Sequence, residues 1–492
     1  MLRKIRVTLA VISITLVTLL FLDFSGTAHR WFGWMAKIQF LPALLAMNVG
    51  VVVALVALTL LFGRVYCSVI CPLGIMQDVF AWCGRKKRKY RYSYSPARTV
   101  LRLVVLAVMV VAIVLGIHVI VVLLAPYSAY GRIAQSLLAP LWAWGNNLLA
   151  LLAERADSYA FYSVDVWLRG GITLAVAVVT LVVLGWLSWR NGRTYCNTIC
   201  PVGTVLGYIA RFSLLRPVID TSRCNACGLC SRNCKAACID SKRHSVDYTR
   251  CVACMDCIDT CRHGAISYGL RRARKAAGAS TATDTSRRTF LTAAAAVGAT
   301  AALHAQDKTV DGGLAAIVDK RKPERRTPVV PPGAQGIKHL SGHCTACQLC
   351  VAACPNGVLR PSADLGRLMQ PESSYERGYC RPECTRCSEV CPAGAILPLT
   401  REEKTSVQIG HAVWVSANCV VLTDDVDCGN CARHCPAGAI QMVPVDAADS
   451  ASRKIPVVNE ARCIGCGACE NLCPARPFSA IYVEGHEHHR TI

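Results

Sequence analysis

Cys224, Cys227, Cys230 and Cys234 stand two, two and three residues apart, and the same spacing returns at Cys251, Cys254, Cys257 and Cys261. Thiols this close along a chain do not staple distant parts of a fold as structural disulfides do; they gather the backbone around a centre that is not protein. A segment of this kind orders itself around metal more than around an apolar core. Similar groups recur toward the end of the chain and take up most of its 30 cysteines. Hydrophobic residues make up 53% of the 492, with a mean hydropathy of +0.36, too apolar for a chain wholly in water. Part of the chain is therefore expected in lipid and part around metal.

Cys-x2-Cys-x2-Cys-x3-Cys suits a 4Fe-4S cubane, whereas zinc ribbons use two separated cysteine pairs. Where two such runs lie together, the fourth cysteine of each crosses to the other cluster. Cys224, Cys227, Cys230 and Cys261 are thus expected to hold one cluster, and Cys251, Cys254, Cys257 and Cys234 a second. Alignment of the two runs sets Cys238 opposite Ala265, which marks it as a small packing residue and not a ligand. Lys235 and Arg262 occupy the place after the fourth cysteine where proline is usual. Four more groups follow: Cys344, Cys347, Cys350 and Cys354; Cys380, Cys384, Cys387 and Cys391; Cys419, Cys428, Cys431 and Cys435; and Cys463, Cys466, Cys469 and Cys473. The middle two lengthen the first spacer, and all four end in Cys-Pro. Six 4Fe-4S clusters are expected in all. Sequential and nested pairing of the last four groups fit the spacings equally.

Four apolar stretches, roughly residues 7–24, 40–62, 100–124 and 172–189, are long enough to cross a bilayer. The expected fold class is an α-helical membrane domain of four transmembrane helices joined to α+β bacterial-ferredoxin-like domains. Arg3, Lys4 and Arg6 precede the first stretch and the basic run 85–91 follows the second, which puts those ends in the cytoplasm. Beside a span, that run reads as an anchor and not as a nucleic-acid site. Residues 133–153 carry Pro140, Asn146 and Asn147, and read as an interfacial or re-entrant helix on the outer side, held by Trp142 and Trp144.

GRVYCSVICPLG (63–74) and GRTYCNTICPVG (192–203) are identical at eight of twelve positions and form an internal repeat of span, span, motif. The Cys-x3-Cys spacing puts Cys67 over Cys71, and Cys196 over Cys200, on one helical face. These four are the candidate redox site outside the ferredoxin groups. An additional metal or cluster, a reversible dithiol and plain packing all remain open there. His118, within the third apolar stretch, is a candidate quinol contact, and His29 is the other histidine near the bilayer.

After Gly269 the composition turns basic and then small and polar, without core-forming residues. SRRTFL (286–291), followed by an alanine-rich apolar run, resembles the twin-arginine export consensus. A cargo that must fold around clusters before export suits that route. The expected division is a membrane domain at 1–215, a cytoplasmic two-cluster domain at 216–272, a linker at 273–340 containing the twin-arginine signal or anchor 286–305, and a four-cluster domain at 341–492. Residues 306–492 are then expected in the periplasm.

Residues 1 to about 272 resemble the NapH type of membrane ferredoxin from periplasmic nitrate reductase systems, with spans, two GRxYCxxxCPxG motifs and two 4Fe-4S motifs. Residues 286 to about 480 resemble NapG, its twin-arginine-exported partner, and the chain looks like a head-to-tail fusion of the two. The Cys380–Cys391 spacing departs from the NapG form. The membrane half shares its Cys-x3-Cys-Pro motif with NosR and with copper-reducing oxidase assembly factors. The resemblance implies a multi-pass protein of the bacterial inner membrane that relays electrons from the quinone pool to a periplasmic reductase or its cytochrome subunit. A copper-reducing or metal-centre assembly factor and a redox sensor are the alternatives. No phosphate loop, nucleophile motif or dinucleotide fingerprint is present, so no substrate-converting site is identified. Six clusters at about −2 each would bring the formal +23 to about +11, which leaves no call for nucleic acid.

Overall fold

The computed structural model describes residues 1–23, 25–87, 92–158, 160–270, 318–446, 449 and 452–492. The twin-arginine segment 286–305 lies outside the described residues, as does the linker up to residue 317.

Leu2–Leu22 is a single helix of 21 residues whose charges are confined to its first turns. At 1.5 Å per residue it measures about 31 Å, the thickness of a bilayer's hydrocarbon core. Among the described residues three helices are long and apolar enough to cross a membrane: Leu2–Leu22, Pro126–Arg155 and Gly171–Asn191. This differs from the four expected stretches, and the reasons are local. In the second, Phe40–Leu45 and Val49–Phe62 are separated by Met47, at φ 54, and by Asn48, whose side chain accepts from Val51 N (3.3 Å) to cap the second helix. The third breaks at Gly116, which takes φ 73 and closes Thr99–Val114, while the amide of Ile117 turns back to the carbonyl of Ala112. His118–Leu124 follows as a separate short helix in contact with the one before it. Pro126–Arg155, expected to be interfacial or re-entrant, instead joins the candidate spans by length and composition. Its first turns, Pro126–Ile133, are buried throughout, a π-helical turn follows at Ala134–Leu138, and the rest is largely exposed.

The cysteine-rich parts are bracketed by short antiparallel ribbons. Leu215–Ile219 pairs with Ile266–Leu270 around the first two groups, and Val407–Trp414 pairs with Ile481–Thr491 around the last two. These parts sit at opposite ends of Leu2–Leu22. At its start, Arg3 Nε donates to Asp256 Oδ1 (2.9 Å). Beyond its far end, Arg386 Nη2 donates to the carbonyl of Ser25 (3.0 Å). The Cys347 carbonyl seats against Gly131, where a Cβ would come within 2.2 Å of it. Between the two ends one buried core runs without a break through Cys234, Cys67, Cys196, Tyr195, Tyr127 and Cys347.

Candidate functional site

The four groups with regular spacing share one backbone device. Ala226 and Gly228, Ala253 and Met255, Ala346 and Gln348, and Gly465 and Gly467 all take positive φ, alternating with residues of ordinary φ. Five of these eight are not glycine, and each non-glycine residue costs roughly 1 kcal/mol or more in that region. A left-handed turn repeated in four groups at the same two positions, and strained in three of them, needs a common cause. The alternation turns successive amides toward the thiols, as in the 3.4 Å bond from Ala346 N to Cys344 Sγ, and makes a concavity suited to an anion. A cluster held by four thiolates is such an anion, so the cradles fit it.

The fourth thiol of five of the six groups lies with the thiols of the neighbouring group. Cys234 stands among Cys251, Cys254 and Cys257, while Cys230 faces Cys224 and Cys227. Cys261 ends the Asp256–Thr260 helix, which packs on Leu229–Asn233. Cys391 joins Cys344, Cys347 and Cys350, and Cys354 joins Cys380, Cys384 and Cys387. Cys435 joins Cys463, Cys466 and Cys469, and Cys473 lies with Cys428 and Cys431 in the core that also holds Cys419. The arrangement is therefore sequential, and the amide of Cys380 bonds the carbonyl of Cys466 (2.9 Å) where the two pairs meet. Among the described residues no three His, Cys, Asp or Glu side chains converge tightly enough for a single metal ion. Such an ion would draw its thiols to roughly 3.8 Å apart.

Cys238 does more than fill space. Its Sγ lies 3.6 Å from Cys234 Sγ, and it also bonds Cys251. Hydrogen bonding with these two holds the Cys238 thiol well above its ordinary value, so it keeps its single proton and shares it with Cys234 or Cys251. Replacing it, as Cys238→Ala, is expected to leave the iron content unchanged and to lower the reduction potential of the adjacent centre, because hydrogen bonds to ligating sulfur raise it. Redox titration followed by electron paramagnetic resonance would detect this, and an unshifted midpoint would return Cys238 to a packing role.

The repeat motifs complete each other. Gly63 and Gly192 take φ 70 and 69 and turn Arg64 and Arg193, both 0% exposed, into the protein. Arg64 Nη2 donates to the carbonyl of Cys196 (3.1 Å) and reaches Cys67 Sγ at 3.7 Å, while Arg193 Nη1 donates to the carbonyl of Cys67 (2.6 Å). A Cβ on Gly74 would lie 2.3 Å from the Cys67 oxygen, and one on Gly203 would lie 2.2 Å from the Cys196 oxygen. Each motif's last glycine thus makes room for the other motif's arginine. Tyr66 OH donates to Gln39 Oε1 (3.1 Å) and Tyr195 OH to the carbonyl of Leu124 (3.2 Å), which fixes the walls. Burial pushes the thiols of Cys71 and Cys200 up, and Cys67 and Cys196 reinforce the shift. Arg193 has a carboxylate, Asp78 (2.7 Å), but among the described residues Arg64 meets neutral acceptors, Asn197 Oδ1 (2.9 Å) and the Thr249 carbonyl (3.2 Å) among them, and its Nε has no partner there. A buried guanidinium so placed calls for negative charge beside it, which ligated thiolates supply.

This four-thiol site has neighbours on both sides. Toward the start of Leu2–Leu22, Arg64 lies within electrostatic reach of Cys251. In the other direction Tyr195 lies within electrostatic reach of Cys196 and Cys200, Arg132 of Tyr195 and Cys347, and Tyr127 of Cys347 and Cys391. His118 is not among the thiols; it faces His343, and His29 bonds Asp23 Oδ2 (3.2 Å). One feature had no direct motif in the sequence. Asp78 is gripped by Arg6, Arg193 and Lys235, and Lys235 also reaches Asp256 (3.2 Å). The missing proline at Lys235 was its only signal.

The 4Fe-4S binding domain family matches residues 44–91 and 171–219, and the 4Fe-4S dicluster domain family matches 426–476. The methylamine utilization ferredoxin-type protein MauM of Paracoccus denitrificans is 32% identical over 170 residues, 32% of this chain and 73% of that protein. The chain belongs to the ferredoxin-type protein family. Other ferredoxin-type relatives are NapF of Escherichia coli K12, 28% identical over 178 residues (36% of this chain, 99% of NapF), and NapH of Haemophilus influenzae, 26% identical over 192 residues (38% of this chain, 53% of NapH). No solved structure matches this ferredoxin-type protein. The first family's two matches cover Cys67, Cys71, Cys196 and Cys200, and none of the 24 ferredoxin-group cysteines.

Proposed function

We propose that the protein relays electrons across the bacterial inner membrane, from the quinone pool through 4Fe-4S clusters to a periplasmic reductase of the nitrate type. The observation that carries this reading is the position of the four-thiol site, wedged between Cys251 and Cys347 in one buried core, with ferredoxin groups at both ends of Leu2–Leu22. Bound clusters supply one-electron transfer. The six ferredoxin groups hold six of them, each with its fourth thiol borrowed from its partner group. Cys67, Cys71, Cys196 and Cys200 hold a seventh, for which the extent of the 4Fe-4S binding domain matches and the uncompensated Arg64 are the support. Arg3, Lys4 and Arg6 keep the first two groups cytoplasmic, and the twin-arginine segment carries the last four outside. The likeness to NapH and NapF supports a partner in a nitrate-reducing system, and that to MauM leaves room for another acceptor of the same kind.

Electron paramagnetic resonance of the purified protein during addition of a short-chain quinol tests the relay. Cluster signals are expected to grow with quinol. Signals that grow with dithionite but not with quinol would rule the donor out.

A further inference from the structure

Between the start of Leu2–Leu22, the Pro72–Lys87 helix and the first ferredoxin part lies a cavity of about 350 Å³, a volume typical of small-molecule sites. Its mouth and its floor differ in chemistry. Val7, Val11, Val79 and Trp82, all 40–55% exposed, rim it on the apolar outer surface of the helices. The floor is ionic: Lys235 Nζ lies 2.9 Å from Asp78 Oδ2 and 3.2 Å from Asp256 Oδ2, and Arg3 Nε lies 2.9 Å from Asp256 Oδ1. Both carboxylates are nearly buried, at 11% and 12% exposure. Lys235 follows Cys234 and Asp256 precedes Cys257, so the floor is one residue from two of the four thiols that come together from the first two groups.

We propose that this cavity binds the ring of a lipid-soluble quinone or quinol, a proposal that rests on the electron-relay reading and gives its donor a location. The occupant must enter through an apolar rim from the bilayer and meet hydrogen-bonding groups at the bottom. A quinone has this form, an apolar tail on a flat ring with two opposed oxygens. Lys235 Nζ and Arg3 donate to a ring oxygen, and Asp256 accepts from a ring hydroxyl. The floor's carboxylates are already paired with cations, so a neutral ring is accommodated without a new buried charge, whereas a phosphate headgroup would meet Asp78 and Asp256. The proline absent after Cys234 is explained by the same geometry: position 235 supplies a cation that reaches both carboxylates. His118, at the other end of the core, is replaced as the quinol contact.

The test uses the full chain in lipid nanodiscs with a photoreactive azido-quinone as probe. Label is expected on Leu2–Leu22 and Pro72–Lys87 and should be competed away by an unlabelled short-chain quinone. Val79→Trp fills the mouth without touching an ion pair and is expected to weaken labelling by about tenfold or more, with iron content and the dithionite-reduced spectrum as in the parent. Val7→Trp, from the opposite rim, is expected to do the same. Label on the His118 helix, or label indifferent to both substitutions, would overturn the site. If quinol still reduces the clusters in that case, the relay reading survives without this cavity; if quinol neither labels nor reduces the parent protein, the donor reading falls and this site falls with it.

Discussion

Asp78→Asn is expected to lower stability by about 3–5 kcal/mol, because it leaves buried cations without their shared anion. Asn keeps the shape of the carboxylate and removes only its charge. Arg6, Arg193 and Lys235 all converge on Asp78, which is 11% exposed. They come from three places: the first helix, the second repeat motif, and the first ferredoxin part. The substitution is therefore expected to loosen the junction of the membrane and ferredoxin parts more than either part alone, and thermal unfolding with limited proteolysis near residue 211 would detect it. An unchanged midpoint would mean that the cations find water. Burial by itself would raise the Asp78 carboxyl, but Arg193 and Lys235 hold it well below the usual carboxylate range. A group depressed in this way stabilises fully above its unfolded value, about 3.9, and loses that contribution only as pH falls through its folded value. The deficit of the variant is thus expected to be the same at about pH 8 and about pH 5.

The Cys67→Ala, Cys196→Ala double variant is expected to divide the protein functionally without unfolding it. Iron content should fall by about four atoms per chain, one cubane. Quinol should still develop the signals of the Cys224–Cys261 groups, while those of the Cys344–Cys473 groups remain undeveloped on the same timescale. Dithionite, which needs no internal route, should reduce both. The reason is positional: the removed thiols lie between Arg64, within electrostatic reach of Cys251, and Tyr195, whose field reaches Arg132 and, through it, Cys347. Normal reduction of the outer groups by quinol would remove the four-thiol site from the route. Loss of copper reduction with iron intact would favour the assembly-factor reading instead.

Ligand spacing was readable because it is local. The cradles at Cys224–Cys230 and Cys463–Cys469 depend on seven consecutive residues each, and composition there admits little else. Which of the last four groups pair was not readable, since sequential and nested orders place the same residues at the same spacings and only tertiary packing separates them. Hydropathy marked the apolar stretches but not their breaks. A single left-handed residue, Gly116, ends a helix within a run that stays apolar on both sides. Lys235 announced itself as a departure from a motif. Its partner Asp78 lies in a different part of the chain, in a helix whose pattern gives no sign of it. The reciprocal arginines were half visible: the repeat showed that Arg64 and Arg193 correspond, but not that each serves the other's copy.

That reciprocity bears on how such a chain can change. A duplicated segment is usually free to drift, since one copy can carry the load while the other varies. Here neither copy is self-sufficient. Arg193 comes within 2.9 Å of where a Cβ on Gly74 would stand, and Arg64 within 2.8 Å of one on Gly203, so each glycine admits the other copy's arginine beside a carbonyl of its own. A change in one motif is therefore expected to be felt as a defect in the other. A single motif expressed alone should pair with a second copy of itself before it folds as a monomer.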